Sequence, residues 1–195
     1  MAFPRKTLPA MLLESLPFLS ACSSPSLDSP SQTSSVPSLE FIVVGDSQFK
    51  QDFDEVIAYL AQTPHHYAFV QEHIHQIEQA PYSEFHVDAK RILLGPSFLL
   101  PSESSLREQQ IKYDVSCLIH DAEHQRLYTQ WLAAFHQGNI LPHFYAGSEG
   151  ERQAIEVQAQ YLLDVNWKSP EEINTWKEDC LLMGYWNVPR EKRDW

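Results

Sequence analysis

The chain has 195 residues, 43% of them hydrophobic and 12% aromatic, which is enough for one well-buried domain with length to spare. It carries 26 acidic against 14 basic side chains, a formal charge of -12 and a pI near 5.1. So acidic a surface repels phosphates, which argues against nucleic acid or anionic lipid as a partner, and no apolar run is long enough to span a membrane.

Residues 1–22 read as an export signal. Arg5 and Lys6 give a basic start, Leu8 to Phe18 supplies an apolar stretch interrupted by Pro9, Glu14 and Pro17, and Leu19-Ser20-Ala21-Cys22 closes it. That tetrad resembles the lipobox of bacterial lipoproteins, in which the Cys is lipidated and becomes the new N-terminus. The resemblance implies lipidation of Cys22, a bacterial cell-envelope location, and membrane contact only through that lipid anchor. The competing reading is a disordered N-terminus on a cytoplasmic protein. Residues 23–38, SSPSLDSPSQTSSVPS, are too polar and Pro-rich to bury a core and form a tether, which leaves 39–195 as the folded domain.

Within that domain, Glu40 to Asp46 reads as a short strand and Gln51 to Gln62 as a helix with Phe53, Val56, Ile57 and Leu60 on one face. Pro64 breaks it. A second helix is predicted over His66 to Gln79, carried by Tyr67, Val70, Ile74 and Ile77, with His65, His66, His73 and His75 read as surface residues or, alternatively, as part of a second metal site. Phe85 to Leu94 reads as one strand. Pro101 to Ser105 then supplies turn and N-cap chemistry before a long amphipathic helix that stops near Gly138-Asn139.

That helix carries His120-Asp121-Ala122-Glu123-His124. Two imidazoles four residues apart lie one turn apart on one face and can share an ion, while the acidic side chain beside the first can reach a water on it. With nine His in the chain, about 0.4 pairs at this spacing arise by chance, so the surrounding pattern has to carry the assignment. Cys117 lies three residues before His120; it is a third ligand or, in the blander reading, a small buried side chain. Should Cys22 be lipidated, Cys117 and Cys180 remain as a candidate disulfide in an oxidising compartment.

After a loop from Asn139 to Gly150 comes a helix to Leu163 with Glu151 in its first turn and Ala154 one turn on. Glu151 is either an N-terminal charge favoured by the helix dipole or a carboxylate ligand presented by a helix crossing the first; Glu149 and Glu156 are alternatives. The order of strand, H-x-x-x-H helix, loop and E-x-x-A helix resembles the gluzincin clan of zinc metallopeptidases, especially the single-domain minigluzincins. The resemblance covers about residues 53–163. It implies Zn2+ held by His120, His124 and Glu151, Asp121 in the place of the general base, the strand Phe85 to Leu94 as the edge that aligns a peptide or protein substrate, and hydrolysis of peptide bonds. Asp121 stands where the clan has Glu, so its carboxyl falls one carbon short.

A last helix is predicted from Pro170 to about Met183, with Ile173, Trp176, Cys180 and Leu181 on its apolar face; Trp186 and Trp195 in the tail beyond pack or mark a partner surface. The sequence thus predicts an α+β fold, a mostly helical zincin-like domain with a small sheet packed on the motif helix. A catalytically inactive zincin-like module that binds a partner, and a helical lipoprotein with an incidental His pair, are the competing functional readings.

Overall fold

The structure is a computed structural model, and it describes residues 41–139, 143, 145 and 147–183. Cys22, the signal and tether segments 1–38, and the tail with Trp186 and Trp195 lie outside the described residues. The fold is α+β. In chain order it runs β1 (Ile42–Val44), α1 (Ser47–Leu60), α2 (Pro64–His73), β2 (Gln76–Gln79), β3 (Glu84–His86), β4 (Arg91–Leu94), a 3-10 turn at Pro96–Phe98, α3 (Ser104–His136), α4 (Ser148–Asp164) and α5 (Pro170–Met183).

The four strands form one mixed sheet in the order β1-β2-β4-β3. β1 and β4 both run parallel to β2, pairing Val43 with Ile77 and Ile77 with Ile92, while β3 pairs antiparallel with β4. Parallel neighbours need a crossover, and α1 with α2 supplies it between β1 and β2. Asp46 starts that crossover. Its Oδ1 accepts the Phe49 N–H at 2.8 Å as an N-cap, and its Oδ2 accepts from Gln79 Nε2 at 3.0 Å, tying the helix start to the end of β2.

Two predicted elements change. The second helix ends at His73, and residues 76–79 leave it for the middle of the sheet, where Ile77 is fully buried. Ile74 and Ile77 satisfy helical spacing, but Ile74 already has φ -120° and ψ 128°, and ladders on both sides of β2 outweigh local periodicity. The predicted strand Phe85 to Leu94 is a hairpin: Lys90 turns with φ 50°, and Ala89 N–H bonds His86 O at 3.1 Å. β4 is therefore interior, and the sheet's edges are β1 and β3, so the stretch Phe85 to Leu94 does not present one continuous substrate-aligning edge. His73 is also buried rather than on the surface, with its Nδ1–H donated to Phe69 O at 2.8 Å.

Ile77, Ile92 and Leu94 of the sheet share one core with Phe49, Phe53 and Val56 of α1 and with Val115, Leu118, Ile119 and Ala122 of the motif helix. α1, α2 and α4 all pack on α3, α4 most extensively, and α5 packs on α4. Ala122 of α3 and Gly150, Ala154 and Ala159 of α4 are small and buried.

The start of α3 is held differently from the prediction. Glu103 at the N-cap makes no side-chain capping bond. Arg107 instead reaches Glu55 with two bonds of 2.7 and 2.8 Å and the buried Asp52 with one of 2.9 Å, and it donates to Pro101 O at 3.2 Å. The helix ends as expected, with Gly138 at φ 83° and Asn139 N–H returning to Ala134 O at 3.0 Å.

Candidate metal centre

His120 and His124 stand one turn apart on α3, and the first turn of α4 delivers Glu151 between them. Glu151 Oε2 is 3.4 Å from His120 Nε2 and Oε1 is 3.6 Å from His124 Nε2, while the two Nε2 atoms are 3.2 Å apart. The three side chains are between 12% and 18% exposed, so the cluster is sheltered but reachable from solvent. These three residues could hold a metal ion, and so could a second group, His65, His66 and Asp164; in each, one ligand atom per residue lies within 4.8 Å of the others.

The other Glu candidates are turned elsewhere. Glu149 pairs with Arg152 at 2.7 Å and accepts from Gln153 at 2.8 Å; Glu156 pairs with Lys177 of α5 at 3.2 Å. Cys117 does not join the cluster. Its Sγ lies 3.7 Å from Gln158 Nε2, and burial pushes its thiol far above the usual range. Cys117 and Cys180 are both free, so the candidate disulfide is not formed.

Both imidazoles are oriented from behind. His120 Nδ1 lies 3.0 Å from Gln158 Oε1, and His124 Nδ1 lies 2.9 Å from Tyr145 O. Carboxamide and backbone oxygens only accept, so each Nδ1 carries its hydrogen and each Nε2 is the nitrogen that faces Glu151. Gln158 is itself fixed: its Nε2 donates to Ser116 Oγ at 2.9 Å, and the Ser116 hydroxyl donates to Tyr113 O at 2.6 Å.

Charges in the cluster support one another. Burial opposes the Glu151 carboxylate, but hydrogen bonds and charge from His120 and His124 outweigh it and hold its carboxyl well below the usual range. Burial likewise opposes a charged His124, yet the Glu151 carboxylate and the Tyr145 carbonyl raise its pKa overall. Asp121 is brought near but is not one of the ligating three. Burial raises its carboxyl to about 6, His120 and His124 pull it down, and Glu151 pushes it up.

His143 and Tyr145 belong to the loop between α3 and α4. His143 stacks edge-on to Trp131 with centroids 4.7 Å apart, and Tyr145 packs its ring on Tyr128 and Trp131. Tyr145 thus enters the centre through its backbone. Gln158 and the Tyr145 carbonyl were not found from sequence. Gln158 had a signal, since it follows Glu151 by two helical turns on the same face; a backbone carbonyl has none.

No known protein family, curated protein or solved structure matches the chain, so the gluzincin resemblance rests on the motif residues themselves.

Proposed function

We propose that His120, His124 and Glu151 hold Zn2+ and that the chain is a zinc-dependent peptidase of gluzincin type, tethered to the bacterial cell envelope through Cys22. The observation that carries the reading is the spacing of the three donors. Tetrahedral ligands with bonds of about 2.0–2.1 Å lie about 3.3 Å apart; here the two Nε2 atoms are 3.2 Å apart, each has a different Glu151 oxygen at 3.4 or 3.6 Å, and one atom from each residue lies within 4.8 Å of the others. The donor set, two imidazoles and a carboxylate, is that of catalytic zinc sites, and hydrogen-bonded Nδ1 atoms are the usual support for such ligands.

When bound, Zn2+ supplies Lewis-acid polarisation of a water and of the scissile carbonyl. Gln158 and the Tyr145 carbonyl keep the imidazoles in the ligating tautomer. Asp121 accepts the proton that the attacking water loses; a carboxyl near 6 is ionised at neutral pH and basic enough for that transfer. A peptide or protein is the substrate, and the acidic surface disfavours nucleic acid.

A second reading, an inactive zincin-like module that binds a partner, is favoured by one feature: Asp121 is a methylene shorter than Glu. A displacement of about 1 Å can cost on the order of 10²-fold in rate. The test is elemental analysis of protein purified without a metal-affinity tag, followed by cleavage of a peptide library. About one zinc per chain with cleavage abolished in Asp121→Asn supports the peptidase. Zinc without cleavage, in wild type and in Asp121→Glu alike, supports the inactive module; no zinc overturns both. Labelling with a radioactive fatty acid that Cys22→Ala eliminates would support the anchor, and labelling of neither protein would refute it.

A further inference from the structure

The second potential metal group sits at the opposite end of α4. His65 and His66 lie in the first turn of α2, and Asp164 is the last residue of α4. We propose that these three side chains form an exchangeable site for a divalent transition-metal ion, separate from the α3–α4 centre and independent of the peptidase reading.

The strongest sign is His66. Its Nε2 is buried and has no hydrogen-bond partner, although its ring is held edge-on to Tyr161 with centroids 5.1 Å apart. A buried polar atom without a partner is costly. The nearest carboxylate oxygen, Asp164 Oδ2, is 3.9 Å away, beyond hydrogen-bond length. Two metal–ligand bonds of about 2.0–2.2 Å through a shared ion span that distance. Asp164 Oδ1 accepts from Gln160 Nε2 at 2.9 Å, which leaves Oδ2 as the oxygen nearer His66. The His65 ring lies against that of His66, with centroids 3.8 Å apart, so a second imidazole is at hand.

The donor set fixes the class of ion. Imidazoles with one carboxylate select zinc, nickel or copper over magnesium and calcium, which prefer all-oxygen sites. The C-terminal end of α4 favours a cation, and the N-terminal end of α2 opposes it. His65 and Asp164 are exposed, so water completes the coordination and the ion exchanges. The site is therefore weaker than the central one. Occupied, it fastens the start of α2 to the end of α4.

The experiment titrates the metal-stripped full chain with Zn2+ and counts bound equivalents by calorimetry and elemental analysis. Two equivalents are expected, one tight and one weak. His65→Ala and Asp164→Asn, both at exposed positions, each lose the weak equivalent and keep the tight one. His124→Ala does the reverse, so failure of the central site is distinguishable from failure of this one. As a second measure, excess Zn2+ should raise the Tm of the His124→Ala protein and leave that of His124→Ala/His65→Ala unchanged. A single equivalent indifferent to His65→Ala, or a second equivalent that survives both surface substitutions, overturns the proposal.

Discussion

Two charged clusters sit along α3, and they are built on opposite principles. Near its start, Asp52 and Glu55 meet Arg107, whose forked guanidinium bonds both carboxylates; the protein supplies its own counter-charge, and the cluster is closed. Halfway along, Glu151 meets two imidazoles whose ligating nitrogens face one another at 3.2 Å, and no Lys or Arg completes the group among the described contacts. A fourth carboxyl, Asp114, lies on α3 between them. Among the described residues its hydrogen-bond partner is Gln110 at 2.7 Å, and burial lifts it to about 8, so it stays largely protonated at neutral pH. The difference separates a structural ion pair from a site. A cluster whose carboxylates share a fixed guanidinium fastens helices, whereas one whose donors converge without a Lys or Arg could hold a metal ion.

The sharpest way to break the contrast is at the open cluster. His124→Ala and Glu151→Gln should each abolish stoichiometric zinc, read by elemental analysis, while leaving the far-ultraviolet circular dichroism of the fold in place. The closed cluster should respond in stability instead. Arg107→Met strands the buried Asp52 beside Glu55 and should cost about 3–5 kcal/mol in urea unfolding, with no change in central-site zinc content.

Asp114 should respond to pH. Its folded carboxyl titrates at about 8, above its ordinary value of 3.8, so the folded chain holds a proton that the unfolded chain releases. That difference lowers stability progressively as pH rises from about 4 to about 8. Asp114→Asn should match wild type near pH 4 and gain roughly 2–4 kcal/mol by pH 8, checked by denaturant unfolding across that range. The smallest effect is expected behind the ligands. Gln158→Ala frees the His120 ring and should weaken zinc about 10–100-fold in a chelator competition without removing it, and Gln158→Glu should recover part of the loss.

Much of this arrangement was legible in the sequence. α1, α3, α4 and α5 follow from apolar periodicity with Pro64, Gly138 and Pro170 as punctuation, and the His120, His124 and Glu151 grouping follows from the order of motifs. What escaped is what depends on distant partners. Ile74 and Ile77 fit a helix until β1 and β4 close on either side of β2, and the turn at Lys90 that splits the predicted strand carries no Gly or Pro to announce it. The Arg107 bond to Asp52 joins residues 55 apart, and the Gln158 bond to His120 joins residues 38 apart; neither spacing leaves a local trace.

The hydrogens fixed on both Nδ1 atoms have one further consequence. With those positions taken, the place between the two Nε2 atoms and Glu151 can hold either a metal ion or a proton, but not both. Against the opposing effect of burial, the Glu151 carboxylate beside His124 raises its pKa, so a proton is held there more firmly than on a free imidazole. Loading of the proposed zinc would then be an ion exchange, in which acid competes with the metal and each ion that entered would displace hydrogen to the solvent. Calorimetry in two buffers of different ionisation enthalpy would count the protons released.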